Sequence, residues 1–252
     1  MNEITLFGFN NLTKSLSFSL YKLHYLTNHP DRYNSFIKER YSADKLNMVL
    51  TEICHAIGGT VLNIAKQDYQ PQGASVTLMI SEELQDGPLA TIASESLVAH
   101  LNKSHLCIHT YPEESPQDGI AIFRADIELS TCGVISPLKI LNQVIKAFDA
   151  DVIDIDYRIR GMTRDRKGEK LFNFDKLNDL SDCLSTEMTS SYHIHEHSFH
   201  QQNLFHAKLS RKEIRLNDYI FEADSKNLLA KKQRSISDQI KKEIHQLFTN
   251  TN

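Results

Sequence analysis

Alternation of apolar and polar residues predicts β-strands in several stretches of the chain. The clearest are Lys14–Tyr21 and Asp151–Arg160, where every second residue is apolar. Further strands are predicted over Val61–Lys66, Ala74–Ser81, Ile120–Leu129, His193–His200 and Leu204–Leu209. Because strand side chains point to alternate faces, a period of two indicates sheets with one apolar face.

Apolar residues spaced three and four apart predict three helices. One covers Ala43–Ile57, and a second begins at Ser136–Pro137, where serine caps and proline suits the first turn. The third covers Ser235–Phe248, with Ser235 and Asp238 as its capping signature. This last helix could cover the sheet or pack against another subunit, and the sequence leaves both open.

The order of these elements predicts an α+β fold in two related halves, with antiparallel sheets covered by helices. A helix–strand–strand pattern comes before the segment at 101–113. Counted with that segment as its first strand, the second pattern is strand–strand–helix–strand. The stretch Glu82–Ser96 lacks a period and is expected to be an exposed connection. Residues 1–252 are expected to form a single domain.

Composition and charge exclude several classes of protein. The 28 basic and 32 acidic residues give a net charge of −4, which does not favour nucleic acid or acidic membrane as a partner. No apolar run reaches the roughly 18–20 residues that span a bilayer, and the N-terminus lacks the features of a secretory signal. The four cysteines form no C-x-x-C pair and are expected to be free thiols, which together predicts a cytoplasmic protein.

The segment Leu101–Glu113 carries the densest set of reactive side chains. Read as a strand, it places His105, Cys107 and His109 on one face, with apolar residues between them facing a core. Ser104 stands at the start of this strand.

The cysteine and histidine side chains of the chain are compatible with two common kinds of site, a cysteine nucleophile and a zinc site. A cysteine–histidine nucleophile would use Cys107 and His109, but side chains two apart on a strand diverge, and the chain has no G-x-S-x-G elbow. A zinc site would use His193, His195 and His197, which a strand places on one face. The simpler interpretation of those histidines is a solvated polar strand face.

A third chemistry uses the peptide bond between Lys103 and Ser104. The serine hydroxyl can attack the carbonyl of the preceding residue, which turns the amide into an ester. A base such as His109 can then remove the serine α-proton, and elimination leaves a ketone at the new N-terminus.

At these residues the chain resembles S-adenosylmethionine decarboxylase, in the longer bacterial form of this pyruvoyl-dependent family. The matching blocks run nearly from end to end and are most specific at KSHLCIHTYPE and STCG. They are Phe7–Ser19, Leu62–Thr77, Val98–Glu113, Phe123–Leu138, Asp156–Thr163 and Asn203–Lys208.

The resemblance implies roles for particular residues. Cleavage between Lys103 and Ser104 would leave a β chain of 1–103 and an α chain of 104–252, and Ser104 would become the pyruvoyl cofactor. His109 matches the processing base and Cys132 the catalytic proton donor. In addition, Ser75 matches a serine associated with processing, Glu113 matches the carboxylate that grips the ribose, and Phe7 is analogous to family aromatics that stack on adenine.

The implied reaction is decarboxylation of S-adenosylmethionine, held as a Schiff base, to supply the aminopropyl donor for spermidine. The resemblance also implies an oligomer of αβ protomers and Mg²⁺ stimulation, although no oxygen-rich ligand set stands out in the sequence. Two rival hypotheses remain at this point: a relative that keeps the fold without cutting itself, and a pyruvoyl decarboxylase of another amino acid.

Overall fold

The computed structural model describes residues 11–26, 30–82, 104–113, 119–132, 135–165, 167–172, 177–220 and 228–251. The strands in these ranges are β1 Thr13–Tyr25, β2 Gly59–Asp68, β3 Ala74–Glu82, β4 Ser104–Pro112, β5 Ile120–Cys132, β6 Val152–Arg160, β7 Thr163–Arg164, β8 Lys170–Leu171, β9 Tyr192–Phe199 and β10 Leu204–Arg211. The helices are α1 Pro30–Tyr41, α2 Ala43–Ala56, α3 Leu141–Phe148, α4 Thr186–Ser191 and α5 Ala230–Thr249.

Eight of the strands form one continuous antiparallel sheet in the order β2-β3-β4-β5-β1-β6-β10-β9. The α+β class and the antiparallel pairing are therefore confirmed. The two predicted halves share this one sheet, because β1, the first strand in the chain, pairs with β5 on one side and with β6 on the other.

Helices cover one face of this sheet. Leu106 and Ile108 of β4 are fully buried there, and Leu50 and Ile53 of α2 lie in the same apolar core. α3 adds its own apolar face, after a short 3-10 turn at Pro137–Ile140. Burial of these side chains is the main favourable contribution to folding, so this face fixes where the strands lie.

The other face of the sheet, called here the open face, is mostly polar. His105, Cys107 and His109 of β4 lie on it half-buried, as the alternation predicts. One end of the open face is covered by α5, whose Ile236, Ile240 and Ile244 pack in a second apolar cluster with residues such as Leu23 of β1. Of the two possibilities left open for this helix, the structure has it covering the sheet.

Some elements differ from the sequence predictions. α5 begins at Ala230 with Leu229 at its N-cap, so the predicted capping signature at Ser235 is wrong. α1 was not predicted, because its buried stripe is made largely of tyrosines. The expected connection at Glu82–Ser96 lies, apart from Glu82, outside the described residues. Among the described helices, none has the length and apolar character needed to cross a membrane.

Candidate active site

Ser104 and Cys132 meet at one end of the sheet. β4 begins at Ser104 and the antiparallel β5 ends at Cys132, so their pairing brings the two residues together. The backbone N–H of Cys132 donates a hydrogen bond of 3.1 Å to Ser104 Oγ. Ser104 is 4% exposed. The serine hydroxyl is therefore held in place by the strand that carries the thiol.

A buried polar group stands beside this pair. Lys14 of β1 lies opposite Thr131 of β5, and both are buried on the helix-covered face. The carbonyl of Ile135 accepts hydrogen bonds from Lys14 Nζ at 3.2 Å and from Thr131 Oγ1 at 3.3 Å. Sequence reasoning missed Lys14. The sequence does indicate its burial, however, because Lys14 has an even number, like the apolar residues of β1, and so lies on the same face of the strand.

His109 lies on the open face, between Ser75 and Asp126. Ser75 of β3 is its partner on one side and Asp126 of β5 its partner on the other. The structure thus brings together two of the predicted residues, Ser75 and His109. It adds Asp126, which sequence reasoning did not single out because only the strand register places it there.

The strand keeps His109 away from Ser104 of the same chain. Five residues of strand at about 3.4 Å each separate them by about 17 Å. An odd separation also puts the two side chains on opposite faces. Glu113, nine residues beyond Ser104, lies about 30 Å away by the same spacing. One chain therefore forms two separate parts of the predicted site, one at Ser104 and one around His109.

Glu113 is already engaged at the far end of β4. Its Oε2 accepts the N–H of Ile122 at 3.0 Å, and its own N–H donates to the carbonyl of Ile122, also at 3.0 Å. Its side chain remains exposed. The carboxylate is thus fixed at the strand end and still reachable from solvent.

Cys107 does not have the environment of a reactive thiol. Burial, reinforced by the carboxylate of Glu128, raises the pKa of Cys107 above its usual range. A nucleophilic cysteine needs the opposite shift. Within the described residues, no hydrogen bond links Cys107 to His109. The cysteine–histidine hydrolase hypothesis therefore finds no support in the geometry.

The histidines of β9 take part in separate contacts. The ring of His195 stands edge-on to Phe248 of α5 at 4.9 Å, and His197 stacks on His206 at 6.3 Å. His206 Nδ1 lies 2.9 Å from Asp156 Oδ1. Across the described ranges, no three His, Cys, Asp or Glu side chains converge to hold a metal ion. These residues do not provide the zinc site considered for the histidines.

Two predicted residues lie outside the described ranges. They are Phe7, expected to stack on adenine, and Lys103, expected on the other side of the cleaved bond. Their roles stay predictions.

Comparison with known proteins gives one consistent family. A family model described as S-adenosylmethionine decarboxylase matches residues 37–161. The S-adenosylmethionine decarboxylase proenzyme of Stenotrophomonas maltophilia (strain K279a) is 46% identical over 255 residues, which are 99% of this chain and 97% of the relative. The proenzyme of Xylella fastidiosa (strain M12) is 47% identical with the same coverage.

Among solved structures, the adenosylmethionine decarboxylase from Aquifex aeolicus matches with a TM-score of 0.40 and 17% identity, covering 64% of this chain and 99% of that chain. The sequence relatives are far more similar and extend over nearly the whole chain. The chain therefore belongs to the S-adenosylmethionine decarboxylase family.

Proposed function

We propose that this chain is a self-processing decarboxylase of S-adenosylmethionine. It cuts itself between Lys103 and Ser104, converts Ser104 to a pyruvoyl group and releases the aminopropyl donor used for spermidine. The observation that carries the proposal is the hydrogen bond of 3.1 Å from the backbone of Cys132 to Ser104 Oγ. It joins the cofactor precursor to the segment that carries the proton donor.

The position of Ser104 supports self-cleavage. Its Oγ adds to the carbonyl carbon of Lys103 and loses its proton to a base, and the C–N bond breaks as the nitrogen takes up a proton. The base then removes the α-hydrogen of Ser104, and the ester oxygen leaves as the carboxylate of Lys103. Water replaces the nitrogen of the resulting dehydroalanine, which releases ammonia and leaves the ketone. The Cys132 N–H fixes Ser104 Oγ for the first of these steps.

A pyruvoyl ketone would supply an electron sink for the loss of CO₂. The residues of this chain would then control where a proton goes. Cys132 lies beside the first residue of the α chain, and a thiol with a pKa near about 8.5 can donate a proton at neutral pH. Donation to the former α-carbon of the substrate gives the product, so the position of Cys132 decides the outcome.

The processing base acts from a second copy of the chain. His109 lies about 17 Å along the strand from its own Ser104 and on the opposite face. Packed strands do not bend enough to close that gap. In an oligomer, one chain can present Ser104 while another presents His109 and Glu113. The base and the serine can then meet although they lie far apart within each chain. None of these steps is assigned to the Mg²⁺ that the resemblance implies, and the described residues contain no group of three His, Cys, Asp or Glu side chains that could hold a metal ion. The four free cysteines are in keeping with a reducing cytoplasm.

Intact-mass analysis of the purified protein tests self-processing. We expect two chains, the larger beginning with a carbonyl that borohydride reduces, and one uncut chain for Ser104→Ala. A single full-length species that is stable on long incubation would favour the relative that does not cut itself. Release of CO₂ from S-adenosylmethionine, but not from arginine or ornithine, separates this enzyme from decarboxylases of other amino acids.

The matched pair Cys132→Ala and Cys107→Ala tests the proton donor. Loss of a general acid should reduce turnover by at least about 100-fold in Cys132→Ala while some cleavage remains. Cys107→Ala removes another partly buried thiol, in the middle of β4, and should keep its turnover. Equal turnover in the two variants contradicts the assignment.

Complementation tests the second copy. Ser104→Ala and His109→Ala chains carrying different tags are produced separately and together. We expect no cleavage of either chain alone, but cleavage of the His109→Ala chain when both are co-expressed, because the Ser104→Ala chain supplies His109. If the His109→Ala chain stays intact in the mixed oligomer, His109 acts within its own chain.

A further inference from the structure

We propose that Asp126 is the positioning residue for His109. Its carboxylate accepts a hydrogen bond from one nitrogen of the His109 ring and so leaves the other nitrogen free to take the proton during self-cleavage. The inference rests on the proposed function in one respect, namely that His109 is the processing base.

The strand register puts the two side chains next to each other. Asp126 is the residue of β5 directly opposite His109 of β4, and both lie on the open face. Directly opposite residues of antiparallel strands have their Cβ atoms about 4.5–5.5 Å apart. A carboxylate and an imidazole at that spacing need only side-chain rotation to meet.

Asp126 has an acceptor that the described structure does not use. Its Oδ1 is enclosed and accepts no hydrogen bond from any described residue. An enclosed acceptor without a donor is unfavourable by about 1–3 kcal/mol, and such groups in native proteins often mark a functional role. The imidazole ring of His109 likewise has no hydrogen-bond partner among the described residues, although its backbone belongs to the sheet ladders. The enclosed oxygen of Asp126 and the ring of His109 thus belong to residues that lie directly opposite each other in the β4–β5 pairing.

The other oxygen of Asp126 is held in place. Arg124 Nη2 lies 3.0 Å from Asp126 Oδ2, and the guanidinium of Arg124 stacks over the Tyr111 ring at 4.4 Å. Tyr111 is two residues beyond His109 on the same face of β4. Arg124 therefore anchors one oxygen of the carboxylate, so the other is the one available to His109. A histidine whose second nitrogen donates to a carboxylate has its tautomer fixed.

The other groups around His109 cannot take this role. Ser75 faces it from β3 and is uncharged at neutral pH. On β4 its neighbours are Cys107 and Tyr111. On β5 the diagonal neighbours are Arg124, a cation, and Glu128, which lies opposite Cys107. Among the described residues, Asp126 is the carboxylate directly opposite the ring. In general a carboxylate next to an imidazole base favours proton uptake by that base, so replacing the carboxylate by an amide should change the pH profile of a reaction that uses the base.

The rate of self-cleavage at different pH values tests the proposal. Full-length precursor is made by brief cell-free translation, shifted to buffers between pH 5 and 9, and followed by gel and intact mass. We expect Asp126→Asn to cleave about 10–100-fold more slowly and to reach its half-maximal rate at a lower pH than the unmodified protein. Asp126→Glu should recover part of the rate. Glu128→Gln, which changes the next open-face carboxylate of β5, should cleave normally.

Four outcomes separate the hypotheses. Slow cleavage with a shifted pH profile and partial rescue by glutamate supports the proposal. Slow cleavage with an unchanged pH profile and no rescue indicates a structural role and overturns it. If His109→Ala blocks cleavage while Asp126→Asn matches the unmodified protein in rate and profile, the inference fails and the role of His109 stands. If His109→Ala itself cleaves at the normal rate, the assignment of the base fails.

Discussion

Two groups of charged residues in this protein differ in how completely their hydrogen-bonding atoms are used. The first, called here the Asp151 cluster, consists of Lys22, Asp149, Asp151, Arg211 and Tyr219. The fully buried carboxylate of Asp151 accepts the Leu23 N–H at 2.8 Å, Arg211 Nε at 3.0 Å and the Tyr219 hydroxyl at 2.8 Å. Lys22 Nζ bridges Asp149 at 3.2 Å and Asp151 at 3.5 Å.

The second group, the His109 row, consists of Ser75, His109 and Asp126 with Arg124 beside it. Here Asp126 Oδ1 is enclosed without a donor, and no described side chain forms a hydrogen bond with the imidazole ring of His109. The Asp151 cluster ties β1 and β10 to the turn that precedes β6, whereas the His109 row spans β3, β4 and β5.

The difference indicates different purposes. A buried polar network in which every member is paired makes the structure rigid. A row with unused donors and acceptors contributes little to stability and keeps its bonding capacity for a reaction. We therefore expect substitutions in the Asp151 cluster mainly to lower stability. Substitutions in the His109 row should mainly slow self-processing.

The largest effect on stability is expected for Asp151→Ala. Removing this carboxylate leaves Arg211 and Lys22 without their buried partner, and breaking such a pair lowers the free energy of unfolding by about 3–5 kcal/mol. Urea unfolding at a fixed protein concentration measures it, with Asp151→Asn as a milder variant that keeps the shape. Asp156→Ala, which removes an exposed partner of His206, serves as the control and should change stability by at most about 1 kcal/mol. A loss below about 1 kcal/mol for Asp151→Ala would mean that the Asp151 cluster does not stabilise the fold.

His24, next to Lys22 on the same face, should make the fold sensitive to acid. Burial, followed by the charges of Lys22 and Arg40, lowers the pKa of His24 to about 3. The unfolded chain binds this proton near pH 6.5, so the unfolded state gains protons first as the pH falls. Stability contributed by neutral His24 is complete above pH 6.5 and is lost at about 1.4 kcal/mol per pH unit down to about pH 3.

Replacement of His24 by glutamine should flatten this slope. Between pH 6.5 and 5 the unmodified protein should lose about 2 kcal/mol through this residue, and His24→Gln should lose correspondingly less over the same interval. Urea unfolding at several pH values gives both slopes. The control is His193→Gln, an exposed histidine of β9. Equal slopes for His24→Gln and the unmodified protein would mean that His24 is not held neutral by the fold.

The alternation of apolar and polar residues predicts the strands on which the site depends. It misses α1 and the first turn of α5, which carry little apolar pattern of their own. The alternation in β1, β4 and β6 was sufficient because each strand has one buried face. In α1 the buried residues Tyr33, Ile37 and Tyr41 recur every four residues, but tyrosine gives a weak apolar signal. The first turn of α5 is rich in lysine, which forms helix well without marking an apolar face.

The site shows the same division. The distance between Ser104 and His109 was available from the sequence, because five residues of strand fix both the length and the change of face. Asp126 was not available. It alternates onto the polar face of β5 together with Glu128, and only the pairing register with β4 selects it as the neighbour of His109. Register depends on contacts between distant parts of the chain, which local pattern does not report.

The smallest change in stability is expected for Asp126→Ala. The ion pair with Arg124 is 30–40% exposed, and pairs of that kind contribute about 0–1 kcal/mol. Removing an enclosed acceptor that has no donor also relieves a desolvation penalty. We therefore expect the free energy of unfolding to change by less than about 1 kcal/mol in either direction, whereas the proposed role of Asp126 predicts slower self-cleavage of the same variant. A loss of 3 kcal/mol or more would place Asp126 with Asp151 as a structural carboxylate, and slow processing in its variants would then reflect a damaged fold. Measured together, Asp151→Ala and Asp126→Ala separate the carboxylate that holds the sheet from the one that serves the histidine.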